Sequence, residues 1–233
     1  LGEEVICGIN LTIRPGEKIA IVGSTGAGKS TLINLLSRFY EYDSGEICLD
    51  NIKIKDFSLK SLRSHIGVVL QDVFLFADSI LNNITLNNPN ISKEQVIKIA
   101  KEIGVHKFIE SLPGGYNYNV KERGVMLSSG QRQLIAFLRV YISNPSVMIL
   151  DEATSSIDSY SEELIKIATT KITENKTSII IAHRLSTIKN SDRIVVMERG
   201  KIVEIGSHEE LLDIKEGFYS RLYKIQFSEM ALV

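Results

Sequence analysis

Two short stretches of this chain carry side chains whose types and spacing could do chemistry. The first is Gly23-Ser24-Thr25-Gly26-Ala27-Gly28-Lys29-Ser30, with Thr31 behind it. It fits GxxxxGK[ST] between an apolar run and a helical pattern. Glycines let such a backbone curl until successive N–H groups point at one anion. The N-terminus of the helix that follows adds partial positive charge. Lys29 can then reach the β- and γ-phosphates of a nucleoside triphosphate, and the Ser30 hydroxyl can ligate Mg²⁺. A chance glycine-rich turn is the competing reading, and the strand and helix flanks weigh against it. The second stretch is Val147-Met148-Ile149-Leu150-Asp151-Glu152. Asp151 leaves the carboxyl end of an apolar strand, where open α/β sheets bind ligands. One carboxylate there can hold the metal shell, and Glu152 can take a proton from an attacking water. Alone, Asp151-Glu152 reads equally well as a cap on the next loop. Beside the phosphate loop it reads as the other half of one site.

The elements that must position these residues follow from pattern. Residues 18–22, 147–150 and 178–182 are short, continuous apolar runs, as expected of buried strands in a parallel sheet. Residues 45–50 and 67–70 read as further strands. Residues 193–197 and 202–205 flank Arg199-Gly200, a hairpin turn. Helices are expected over 29–37 and 129–143. Ser92 and Gln95 form a capping box that opens another helix, ending near 103. A second box at Ser207–Glu210 makes the C-terminal part helical. From 72 to 143 there is no convincing strand. The result is an α/β core, 1–71 and 144–233, with a mostly parallel central sheet, carrying an inserted α-helical subdomain at 72–143. His65, His106 and His208 have no motif around them and read as surface or helix residues.

Composition narrows the function classes. With 233 residues and 44% hydrophobic content, the chain can bury a core as one domain. The formal net charge of -1 disfavours nucleic acid as the main partner. The two cysteines, Cys7 and Cys48, form no metal or redox spacing, which fits a reducing compartment. No apolar run approaches the roughly 20 residues of a membrane helix. The first residue is Leu1, with no signal-peptide pattern, so the chain is expected to be part of a longer polypeptide.

A third motif points to a family. Leu127-Ser128-Ser129-Gly130-Gln131 lies shortly before the Asp151-Glu152 strand and opens a helix. It resembles the LSGGQ signature of ABC-type ATPases, and nearly the whole chain is similar to the nucleotide-binding domain of an ABC transporter. Gln71 matches the Q-loop, Ser155-Ser156-Ile157-Asp158 the D-loop, and His183 the H-loop. Val120-Lys121-Glu122-Arg123-Gly124 resembles the X-loop of exporters. The resemblance implies a P-loop ATPase core with an N-terminal antiparallel β subdomain. It also implies hydrolysis of ATP with Mg²⁺ in a head-to-tail dimer, where the signature of one domain covers ATP held by the other. Gln71 would reach the metal and the water, and Ser30, Gln71 and Asp151 would complete the metal shell. His183 would contact the γ-phosphate and orient Glu152. Asp158 would sit at the dimer interface, although a helix N-cap explains it equally. Phe74, Leu75 and Phe76 would either face the membrane domain or be buried in the helical subdomain. The implied partners are a transmembrane domain, on the same polypeptide, and a second nucleotide-binding domain. The implied place is the cytoplasmic face of a bacterial inner membrane.

The chain departs from this pattern at a few points. Ser129 stands where the signature has its first glycine. It costs roughly 1–2 kcal/mol if the position needs positive φ, and little if the position is helical. That strain is the one support for an alternative, an ATP-dependent dimerisation switch with weak hydrolysis. Lys121 replaces the usual X-loop glycine, and Ser156 and Ile157 vary the D-loop. The aromatic residue that stacks on adenine is expected upstream of Leu1, since Tyr40 and Tyr42 follow the phosphate-loop helix. At roughly 1–3 kcal/mol per stacked base, the chain should bind ATP about tenfold or more weakly than a version extended at its N-terminus.

Overall fold

The computed structural model describes residues 5–152 and 158–227. In chain order the elements are β1 (Lys18–Val22), α1 (Lys29–Leu36), β2 (Cys48–Leu49), β3 (Ile52–Lys53), α2 (Leu59–His65) and β4 (Ile66–Val69). Then come α3 (Ile80–Thr85), α4 (Lys93–Glu102), α5 (His106–Glu110) and α6 (Ser129–Ile142). The remainder are β5 (Val147–Asp151), α7 (Ser159–Thr173), β6 (Thr177–Ile181), α8 (Leu185–Lys189), β7 (Arg193–Glu198), β8 (Lys201–Gly206), α9 (His208–Asp213) and α10 (Phe218–Phe227). They fall into two compact units. One comprises Leu1–Ile66, Val147–Glu152 and Lys176–Val233; the other comprises Gly67–Ser146 and Ala153–Asn175.

The first unit is built on strands in the order β5-β6-β1-β7-β8. The first four run parallel, and β8 returns antiparallel on β7. Ile19, Ala20, Ile21, Met148, Ile149, Ile180 and Val195 are fully buried, which explains why these strands show no alternation. Apart from the small Ala20, each of these side chains contributes about 1.5–3 kcal/mol by leaving water. Strand β8 alternates exposed and half-buried residues, as an edge strand does. Helices α9 and α10 pack on it. Glu204 of β8 accepts the N–H groups of Phe218 and Tyr219 at 2.6 and 2.9 Å, and so fastens the start of α10. Among the described residues the antiparallel β part outside this sheet is one short hairpin, β2 with β3. It is shorter than the strand expected over 45–50, because Asp50 and Asn51 turn the chain with φ of 48° and 65°.

The second unit is organised around α6. Its residues Gln133 to Leu138 are buried without interruption, so the helix is covered on all sides. It packs against α3, α4 and α7. This unit therefore extends beyond 72–143 and takes in α7, whose buried Ile165, Ala168 and Ile172 mark one face. Arg139 of α6 donates to the Asn83 and Phe74 carbonyls, and the fully buried Asn83 side chain bonds the Phe76 backbone. This network fixes the segment that carries Phe74 and Phe76.

Candidate active site

The phosphate loop hangs from β1 and is shaped by backbone crowding. Gly23 has φ of 154°, and a Cβ there would lie 2.2 Å from the Met197 carbonyl oxygen. No side chain fits, so glycine is required. The loop closes by a bond from the Ala27 N–H to the Ser24 carbonyl at 3.1 Å. The β7–β8 turn buttresses it, since the Gly200 N–H donates to the Ala27 carbonyl at 3.0 Å. Helix α1 then starts at Lys29 with no side-chain cap and no acidic residue in its first turn. Its opening N–H groups and partial positive charge suit an anion.

Lys29 is the hub of the first unit's polar residues. Its ammonium donates to the Gly23 and Ser24 carbonyls at 2.8 and 2.9 Å. Burial lowers its pKa, and Asp151 and Glu198 act against that. Asp151 ends β5 and is 8% exposed. His183 lies near enough that the charge on Lys29 adds to burial in lowering its pKa. The imidazole is therefore neutral at neutral pH and keeps one donor and one acceptor nitrogen. Glu198 also accepts the Ser24 hydroxyl at 2.9 Å. Ser30 is exposed and Thr31 half-buried at the start of α1.

Glu152 sits just past β5 and is 3% exposed. The β5–β6 register pairs Asp151 with Ile181, which brings Glu152 beside His183. Its Oε2 accepts the N–H groups of His183 and Arg184 at 3.0 and 3.2 Å. Its Oε1 accepts the Thr187 hydroxyl at 2.5 Å. Burial pushes the carboxyl above the usual carboxylate range, outweighing the hydrogen bonds from Thr187, His183 and Arg184. The recorded link from His183 to Glu152 thus runs through backbone N–H. Thr187 has no role among the site residues expected from sequence, although it ends the H-loop stretch Ile181–Thr187 that carries His183.

The remaining expected residues lie in the second unit. Gln71 is exposed just after β4. Ser128 caps α6. Its hydroxyl accepts the Gln131 N–H at 3.2 Å, and the Gln131 side chain accepts the Ser128 N–H at 3.0 Å. Leu127 is buried, and its carbonyl accepts from Arg132 at 2.6 Å. Ser129 is the first residue of α6 and has no positive φ, so serine replaces glycine there without backbone strain. Gly130 is buried in the same turn. Asp158 caps α7, accepting the Ser161 N–H at 2.8 Å, and that bond lowers its pKa. Ser155, Ser156 and Ile157 lie outside the described residues. Leu75 is fully buried, whereas Phe74 and Phe76 are 55% and 53% exposed and pack edge to face. They border a groove of about 550 Å³ with Val69, Leu86 and Arg139.

Among the described residues no cluster of three or more His, Cys, Asp or Glu could hold a metal. A magnesium ion does not need one. It takes hydroxyl, water and phosphate oxygens with one or two carboxylates. Ser30 at the start of α1 and Asp151 at the end of β5, the residues expected to hold it, both belong to the first unit. No helix among the described residues is long and apolar enough to cross a membrane.

A family model described as ABC transporter matches residues 6–155. A protein of Staphylococcus aureus named as a multidrug export ATP-binding/permease protein is 50% identical over 94% of this chain. An ATP-dependent lipid A-core flippase of Methylobacillus flagellatus is also 50% identical over 94%. The chain spans 38% of the length of each. Among solved structures, a bacterial Atm1-family ABC exporter with ATP bound superposes with a TM-score of 0.88 at 39% identity. That match covers 97% of this chain and 39% of the exporter chain.

Proposed function

Since the chain belongs to the ABC transporter family, we propose that it is the ATP-hydrolysing motor domain of an exporter, working in a head-to-tail dimer with a second nucleotide-binding domain. The observation that carries this is the gathering of Asp151, Glu198 and His183 within electrostatic range of Lys29, with Glu152 beside His183. The phosphate loop would hold the triphosphate through backbone N–H groups, with Lys29 offsetting charge on the β- and γ-phosphates. Glu152 would accept a proton as water attacks the γ-phosphorus and the bond to the bridging oxygen breaks. Neutral His183 would donate to a γ-phosphate oxygen. Ser30, Asp151 and Gln71 would hold Mg²⁺, which neutralises phosphate charge when bound. Leu127–Gln131 of the second domain would close over the γ-phosphate, with Asp158 at the interface.

The relatives' names, export ATP-binding/permease protein and flippase, support a membrane domain as partner. We place that domain on the same polypeptide and this chain on the cytoplasmic face of a bacterial inner membrane as part of the same proposal. The exposed Phe74 and Phe76 and their groove suit that partner's loops. A switch with weak hydrolysis rested on strain at Ser129, and a helical Ser129 carries none. The test is ATP turnover against protein concentration, with Glu152→Gln as the blank. Specific activity should rise with concentration, and the variant should bind ATP without turning it over. Concentration-independent activity would remove the composite site, and unchanged turnover in Glu152→Gln would remove Glu152 from the chemistry.

A further inference from the structure

We infer that Thr187 is a positioning residue for hydrolysis, fixing which oxygen of Glu152 meets the attacking water. The inference rests on the reading of Glu152 as proton acceptor and adds how that acceptor is aimed. A carboxylate has about four acceptor positions, two on each oxygen. Oε2 is taken by two backbone donors, His183 and Arg184. Oε1 receives the Thr187 hydroxyl, which leaves one acceptor position among the contacts of the described residues, and that position is on Oε1. The pattern therefore selects a single lone pair for the water proton. It also sets the plane of the carboxylate, because three donors on two oxygens allow no rotation about the last side-chain bond without breaking a bond.

The backbone explains why the aiming falls to Thr187. His183 and Arg184 offer N–H groups fixed by the chain leaving β6, and these can hold only one edge of the carboxylate. The other edge needs a donor from a different direction. Thr187 supplies it from α8, one turn beyond. Its own backbone is held, since the Thr187 carbonyl accepts the Ser191 hydroxyl at 2.8 Å. A β-branched side chain has few rotamers, so the hydroxyl is delivered with little conformational freedom to lose.

The experiment compares Thr187→Val, which keeps the branched shape and removes the donor, with Thr187→Ser, which restores the donor. Thr187→Ala repeats the deletion without a branched replacement, should valine disturb packing. In steady-state ATP turnover, Thr187→Val should lower kcat about tenfold, with KM and ATP affinity within about twofold, because the group acts on the acceptor in the transition state and not on nucleotide binding. Thr187→Ser should recover kcat to within about threefold. A second readout needs no turnover. Amide hydrogen exchange at His183 and Arg184 should quicken by about threefold or more in Thr187→Val and stay near wild type in Thr187→Ser, because a loosened carboxylate holds its two N–H partners less well. Wild-type kcat in Thr187→Val beside an inactive Glu152→Gln would overturn the assignment. So would equal losses in Thr187→Val and Thr187→Ser, or exchange unchanged in Thr187→Val. Turnover retained by Glu152→Gln would instead overturn the reading of Glu152, with the hydrogen-bond geometry standing.

Discussion

Glu152 carries its charge into a nearly closed site, and three donors only partly offset the burial. Its pKa in the folded chain lies above the ordinary value of 4.5. A group shifted that way favours folding most when protonated. Its contribution is complete below the unfolded pKa and is lost as pH rises through the folded one. At neutral pH the ionised carboxylate is therefore a net cost. Glutamine removes the charge and can keep the geometry. Its amide oxygen can accept from His183 and Arg184, and its NH₂ can donate to the Thr187 oxygen, with the hydroxyl turned around. Glu152→Gln should then melt above wild type at about pH 7.5. The gap should narrow as pH falls toward 4.5. Melting curves of both proteins across that range decide it, and a gap that is constant with pH would assign the effect to packing instead.

At the scale of elements, the loop ahead of α6 stores strain that glycine would relieve. Lys121 has φ of 60° and ψ of -176°, a region that essentially only glycine occupies, at a cost of about 1–3 kcal/mol. Lys121→Gly should raise unfolding stability by about 1 kcal/mol, while Lys121→Ala should not, because alanine keeps the Cβ that clashes. Urea titrations of the three proteins measure it, and equal stability of the Gly and Ala variants would place the effect in the lysine side chain. The lysine was visible in sequence as a departure from a motif, but its dihedral angles were not. The same boundary runs through the site. The phosphate loop was legible because its glycines, lysine and serine are contiguous and each is demanded by local geometry. The capping boxes at Ser92, Ser128 and Ser207 were legible for the same reason. The bond between Glu152 and His183 spans 31 residues and exists only through the β5–β6 register. The place of α7 beside α6 was hidden too, since an apolar face does not say what covers it.

At the scale of the whole molecule, the proposed dimer makes Lys29 and Ser128 of one chain serve different nucleotides. Two-fold symmetry requires this, because whatever the first chain's phosphate loop meets on its partner, the partner's loop meets on the first. Two inactive variants should then complement each other. Lys29→Ala removes the charge that holds phosphate but leaves the signature intact. Ser128→Arg places bulk at the exposed cap of α6 but leaves the phosphate loop intact. Each variant alone forms only broken sites. A mixed dimer pairs the good loop of the Ser128→Arg chain with the good signature of the Lys29→Ala chain. Its second site carries both lesions. With equal amounts and free exchange, half the dimers are mixed and each has one sound site of two, so turnover should return to about a quarter of wild type. Measuring ATP turnover in the mixture, against each variant alone at the same total concentration, tests the arrangement directly. Activity no greater than the average of the two variants would mean that each chain hydrolyses ATP with its own residues, and the head-to-tail reading would be withdrawn.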